Sequence, residues 1–372
     1  MRAIPASSLL LAILGGCAET PPNTPEPTTS LAVTVLTTGD GTRPTGYTLR
    51  VDSESAHPIP AAGTVTFGNL APGSHTVTLE GVPDQCITDW VEPQPVALSA
   101  VEPGTASFRV HCVVPIRGEM SYARGVLPDN YRELWTVRLD GSGARSLGVR
   151  DGILSPQGTL IAHHVPDGET RVTSVDGVID VTIGPRYTGP LAWSPDGRHV
   201  ALSSNPLSLT IARADGRGSR TLSGIGNGVF SAAAWSPDGR ELAMIDFGAV
   251  RVLNVATGAL RTLQRTSGST GVSWSPNGDR LAFFSEQQAG RYRLVTLRPD
   301  GADERIVVTD VPQGFALTWS PDGGSFLFSA AGLPGASASA LLDLFSVATD
   351  GTGIRNLTQT PSVNEWSGRL IP

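Results

Sequence analysis

The chain has 372 residues, 40% of them apolar and 16% charged, which is enough for two packed domains. Its 43 glycines and 29 prolines suit many short strands joined by tight turns and fall short of collagen-like or wholly disordered composition. All 27 basic residues are arginines, and against 34 acids they leave a net charge of −7. They are scattered singly, which excludes the basic stripe that nucleic-acid binding needs and a polybasic membrane-surface patch.

Residues 1–16 read as a secretory signal. Arg2 supplies the positive end and Leu9-Leu10-Leu11-Ala12-Ile13-Leu14 the apolar run, too short to span a bilayer as a helix. Leu14-Gly15-Gly16-Cys17 then places small residues before a cysteine. This tetrapeptide resembles the lipobox of bacterial lipoproteins. The resemblance implies cleavage before Cys17, a lipid on its thiol and a place in the cell envelope. Ala18, rather than Asp, after that cysteine implies the outer membrane. Residues 17–30 are rich in proline and threonine and lack a large apolar side chain after the cysteine, so they form an extended tether.

Residues 31–114 are expected to form a small antiparallel β-sandwich. Period-two runs such as Leu31-Ala32-Val33-Thr34-Val35, Tyr47-Thr48-Leu49-Arg50-Val51, His75-Thr76-Val77-Thr78-Leu79 and Ala106-Ser107-Phe108-Arg109-Val110 alternate with Gly- and Pro-containing turns. Once the signal is removed, Cys17 is committed to lipid and two cysteines remain. An even number in an exported protein implies a Cys86–Cys112 disulfide, contributing about 3–4 kcal/mol on a chain-entropy estimate. The stretch Leu70-Ala71-Pro72-Gly73-Ser74-His75-Thr76-Val77 resembles a segment of the transthyretin-like and immunoglobulin-like modules of bacterial surface proteins. Such modules often carry a cystine at these places.

Residues 115–372 carry an internal repeat. Trp193-Ser194-Pro195-Asp196-Gly197 recurs as Trp235-Ser236-Pro237-Asp238-Gly239, Trp274-Ser275-Pro276-Asn277-Gly278 and Trp319-Ser320-Pro321-Asp322-Gly323. Leu154-Ser155-Pro156-Gln157-Gly158 is a degenerate copy and Trp366-Ser367-Gly368 a truncated one. The serines are 39, 42, 39, 45 and 47 residues apart, the period of a four-stranded propeller blade. Ser-Pro-Asp-Gly is suited to a tight turn: Ser caps it, Pro presets φ, Asp tolerates the bridge region and Gly accepts positive φ. A second series (Asp140-Gly141, Asp176-Gly177, Asp215-Gly216, Thr257-Gly258, Asp300-Gly301, Asp350-Gly351) marks the outer hairpins. Six copies of each predict a six-bladed propeller. No Trp-Ser-Pro element precedes the strands near Met120 and Glu133, so the segment around Glu365-Trp366 is expected to supply the inner strand of the first blade. The repeat resembles the propeller of TolB and its WD-repeat-like relatives. The chain departs from TolB in having a β-sandwich in place of a mixed α/β domain and in its lipobox.

No nucleophile elbow, H-E-x-x-H, C-x-x-C or phosphate loop occurs. Related propellers precede the hydrolase domain of prolyl-oligopeptidase-like enzymes, and here the sequence reaches Pro372 directly after the expected closing strand. Aligned on the turn glycine, His163 falls where other blades carry Leu202, Met244, Phe283 and Phe328. That slot suits a core histidine, and it makes His163 the first suspect if the propeller funnel holds a metal-dependent lyase site. The turn aspartates Asp196, Asp238 and Asp322 are explained by their turns rather than by calcium, and Asn277 implies that their charge is dispensable. The tryptophans are expected to pack between blades rather than to form a sugar platform. The expected function is a lipid-anchored, non-catalytic envelope scaffold, without a cofactor or metal, that docks a protein or envelope polymer. The alternatives are a funnel enzyme and a glycan or small-ligand sensor.

Overall fold

The computed structural model describes residues 28–371 apart from 53, 55, 90–92, 126–131, 139–141, 166–167, 186–190, 206–207, 226–229, 266–267, 313, 334–340 and 359–363. The expected signal, Cys17 with its lipid, Ala18, most of the tether and the Asp140-Gly141 turn lie outside the described residues. All regular elements among the described residues are strands, arranged in eight four-stranded sheets.

Two of these sheets face each other in the N-terminal domain. One has the order Ala62–Leu70, Thr29–Thr38, Gly104–Cys112, Cys86–Thr88; the other has His57–Pro60, Gly46–Val51, Gly73–Glu80, Gln94–Leu98. Alternation does the work: Leu31, Val33, Val35, Leu49, Val77 and Phe108 turn inward and are buried together, while the residues between them face outward. The pairing is antiparallel except between Thr29–Thr38 and Gly104–Cys112, which run parallel over eight residue pairs. The first and last long strands of the domain are thus neighbours at the centre of one sheet. Two short strands, His57–Pro60 and Cys86–Thr88, were not marked by alternation, because they are too brief to show a period.

The remaining six sheets are antiparallel blades. Five use strands consecutive in sequence, for example Leu191–Trp193, His199–Asn205, Ser208–Arg213 and Ser219–Ser223. In the first blade, Glu119–Gly125, Glu133–Arg138 and Arg145–Arg150 are joined by the last strand of the chain, Asn364–Leu370, which takes the inner place beside Glu119–Gly125. Second strands of the blades are apolar without alternation: Leu242-Ala243-Met244-Ile245 and Leu281-Ala282-Phe283-Phe284 are fully buried throughout. A blade has a neighbour on each of its faces, so both sets of side chains along its second strand enter an interface. The apolar clusters accordingly run from blade to blade, as where Phe284, Phe326 and Phe328 meet.

Candidate functional site

The Ser-Pro-Asp-Gly turns are built from a short hydrogen-bond relay. Ser194 Oγ donates to Asp196 Oδ1 at 2.6 Å and accepts from the His199 amide at 2.9 Å, while Asp196 Oδ1 also accepts from the Arg198 amide. The Ser236/Asp238 and Ser320/Asp322 turns repeat this arrangement. Gly197, Gly239, Gly278 and Gly323 all have φ near +70°, which glycine accepts without strain. The serine hydroxyl and then the backbone N–H hold Asp238 and Asp322 below the ordinary carboxylate value. In the fifth blade Asn277 is uncharged and its Oδ1 still accepts the Asp279 amide, but the serine finds another carboxylate. Ser275 Oγ donates to Asp279 Oδ1 at 2.9 Å, so the carboxylate has moved two residues along the chain rather than vanished. The degenerate turn lacks a carboxylate; Ser155 still accepts the amides of Thr159 and Leu160, and Gln157 Nε2 reaches across to the Pro195 carbonyl.

The repeat tryptophans tie each blade to the one before it. The indole N–H groups of Trp193, Trp235 and Trp274 donate to the carbonyls of Ile153, Ala192 and Ala234 at 3.0–3.1 Å. Trp319 breaks the series: its indole nitrogen is buried without an acceptor, and its backbone amide is received by Ser273 Oγ instead.

Strand register corrects one reading of the repeat. Trp193, Trp235, Trp274 and Trp319 pair with Val200, Leu242, Leu281 and Phe326, the residues that begin the second strand's core run. In the first blade the corresponding pair is Leu370 with Met120, and the Ile371 amide donates to the Glu119 carbonyl as the Ser194 amide does to His199. Trp366 pairs with Ala123 near the far end of the strand, so it is not the truncated copy's structural counterpart. A register shift between Trp366 and Arg369 absorbs the difference. Arg369 therefore takes the place that Ile153, Ala192, Ala234, Ser273 and Thr318 hold in the other five blades.

All six of these residues line the central channel, a cavity of about 1290 Å³ bordered by the inner strands. Arg132, Asp151 and His164 also face it. Arg132 lies over the Trp366 ring, 5.0 Å from its centroid. Arg369 makes no ion pair among the described residues, and burial pushes its guanidinium below its ordinary value while leaving it cationic.

No family model matches the sequence. TolB from Acinetobacter baumannii is similar in structure, with a TM-score of 0.57 and 14% identity over 80% of this chain and 79% of that one. The fold is a TolB-like β-propeller. A chain of a nidogen/laminin complex resembles this TolB-like propeller too, with a TM-score of 0.52 and 12% identity over 67% of this chain and 97% of that one. Among curated proteins, a 60-residue stretch is 40% identical to the uncharacterized peptidase YuxL of Bacillus subtilis (strain 168). The match spans 16% of this chain and 9% of that protein, so it covers less than a tenth of the curated relative.

Within the TolB-like propeller His163 lies in the core slot that suited it, off the channel wall. His163 is buried, its Nε2 has no hydrogen-bond partner, and desolvation lowers its pKa. Its Cβ packs toward Gly152, and the channel wall carries His164, whose Nδ1 lies 3.0 Å from Thr170 Oγ1. Successive strand residues face opposite ways, so the choice between the two required the strand's orientation. Among the described residues no group of three or more His, Cys, Asp or Glu could hold a metal ion. Cys86 and Cys112 are disulfide-bonded directly across paired strands. The residue pair beside them, Ile87 and His111, faces the propeller: Ile87 packs on the apolar cluster of the second and third blades, and His111 Nε2 meets Asp176 Oδ2. Sequence reasoning missed Arg369, Arg132 and this junction. For Arg369 the usable signal was the final Leu370-Ile371, had the repeat been aligned on the strand end rather than on Trp366.

Proposed function

We propose that this chain is a lipid-anchored, non-catalytic binding protein of the bacterial cell envelope, probed by its partner at the channel mouth of the propeller. Cys17 carries the lipid, the tether and sandwich act as a spacer, and the propeller docks a protein or an envelope polymer. The observation that carries this reading is the closed ring of six blades around an open channel of about 1290 Å³. Such a ring holds the loops of all its blades in fixed relation, so a partner meets a preorganised surface and little ordering entropy is lost on docking.

The test has two parts. Labelling of the full-length chain with radioactive palmitate in a bacterial host should mark the wild type and not Cys17→Ala; equal labelling of both refutes the anchor. A pull-down from envelope extract should retain a stoichiometric partner. Ala234→Trp, which narrows the channel, should release it, with a thermal melt confirming that the variant is folded. A partner retained by folded Ala234→Trp refutes docking at the channel.

A further inference from the structure

We infer that the central channel contains a binding site for a small carboxylate with an apolar body, seated on the Arg369 guanidinium. This goes beyond the docking of a macromolecule and does not depend on it. The inference starts from the ring of equivalent positions on the six inner strands. Five carry uncharged side chains, and the sixth carries Arg369.

An arginine held in a channel wall gives up hydration and is ordinarily matched by a carboxylate. Arg369 has no such partner among the described residues, although arginines elsewhere in the propeller do: Arg213 meets Asp215, Arg261 meets Glu241 and Arg280 meets Asp303. The channel as a whole repeats the imbalance. Among the described residues two guanidiniums, Arg132 and Arg369, face it against the one carboxylate of Asp151, and neither arginine is within ion-pairing distance of Asp151. Arg132 lies over Trp366, its guanidinium carbon 5.0 Å from the ring centroid.

The rest of the wall sets the class of ligand. The wall of the same channel also carries Trp366, Phe315, Ala234 and other apolar side chains. A mostly apolar cavity with a few placed polar groups is the usual form of a small-ligand site. A guanidinium presents two parallel N–H donors, which match the two oxygens of a carboxylate. The site therefore takes one carboxylate at Arg369 and an apolar chain or ring against the aromatic wall.

The test uses the full-length chain with octanoate, octanamide and inorganic sulfate as probes, followed by tryptophan fluorescence and confirmed by calorimetry. Five of the chain's seven tryptophans line the channel, so occupancy has a built-in reporter. Octanoate should bind saturably, with octanamide and sulfate each at least tenfold weaker. Arg369→Gln should weaken octanoate at least tenfold, and Arg369→Lys should restore part of the loss. Ala234→Glu leaves Arg369 in place but adds a carboxylate three blades round the ring; it should weaken octanoate while leaving octanamide unchanged, and it serves if Arg369→Gln does not fold. No saturable octanoate binding, octanamide binding as tightly as octanoate, or sulfate binding as tightly as octanoate would each overturn the inference. So would octanoate affinity unchanged in both folded variants.

Discussion

His111 Nε2 lies 2.7 Å from Asp176 Oδ2, joining the last strand of the sandwich to the outer hairpin of the second blade. The His111 ring is also in contact with the Thr38 hydroxyl through Nδ1 at 3.1 Å, and its neighbour Cys112 is clamped to Cys86. Nearby, the Ile116 amide donates to the Gly158 carbonyl, at the degenerate turn of the same blade. The His111–Asp176 hydrogen bond thus joins the sandwich to that blade, with the disulfide bracing the sandwich side and the Ile116 backbone bond the propeller side.

Removing that contact should loosen the junction without unfolding either domain. His111→Ala and Asp176→Asn are each expected to cost about 1–2 kcal/mol, and the double variant should cost less than the sum because the two share one interaction. Urea denaturation of the three variants measures the coupling. Strict additivity would show that the contact contributes nothing to stability.

The repeated turns predict a position-by-position pattern. Ser236→Ala removes the acceptor of the Glu241 amide and the donor to Asp238, and should destabilise by about 1–2 kcal/mol. In the fifth blade the sensitive acid is Asp279, since it receives the Ser275 hydroxyl. Asp279→Ala should therefore lower the urea midpoint more than Asn277→Ala. The reverse order would return the role to the aligned position.

Indole substitutions should separate the blades in the same way. Trp235→Phe loses the indole hydrogen bond to the Ala192 carbonyl, at a cost of about 1 kcal/mol beyond the change in packing. Trp319→Phe removes a buried N–H that has no acceptor and should cost less, or stabilise. Thermal melts of the two variants make the comparison directly.

Stability should fall in acid. Asp238 and Asp322 are held below their ordinary value of 3.8 by their serine hydroxyls and by the backbone amides that follow. A carboxylate whose pKa is lower folded than unfolded adds stability above the unfolded value and loses it as pH drops through the folded one. The melting temperature should thus hold between pH 7 and 5 and decline below about pH 4. Asp238→Asn/Asp322→Asn should show a shallower decline than the wild type; parallel curves would deny these turns a part in it.

Much of the architecture was legible because its signals are local. The serine, aspartate and amide of each turn lie within five residues of one another, so the motif contains its own interactions and recurs wherever they are needed. The sandwich strands announced themselves by period two for a similar reason: one face of each is wet. Second strands of the blades gave no such alternation, since both of their faces are covered by neighbouring blades. His163 occupies the core slot that the aligned repeat suited it to, while the histidine on the channel wall is its neighbour His164, which an apolar slot in a repeat could not single out.

By itself the sequence determined the repeat, the number of blades, the turns and the order of the two domains. Each of these follows from contacts between residues close in the chain. Tertiary structure alone decided the register of the closing strand and the domain junction. Arg369 enters the channel wall by pairing with Ser121, 248 residues away, and His111 finds Asp176 across 65 residues. Contacts at such distances are selected by ring closure and by the packing of preformed sheets, and neither leaves a period in the residues themselves.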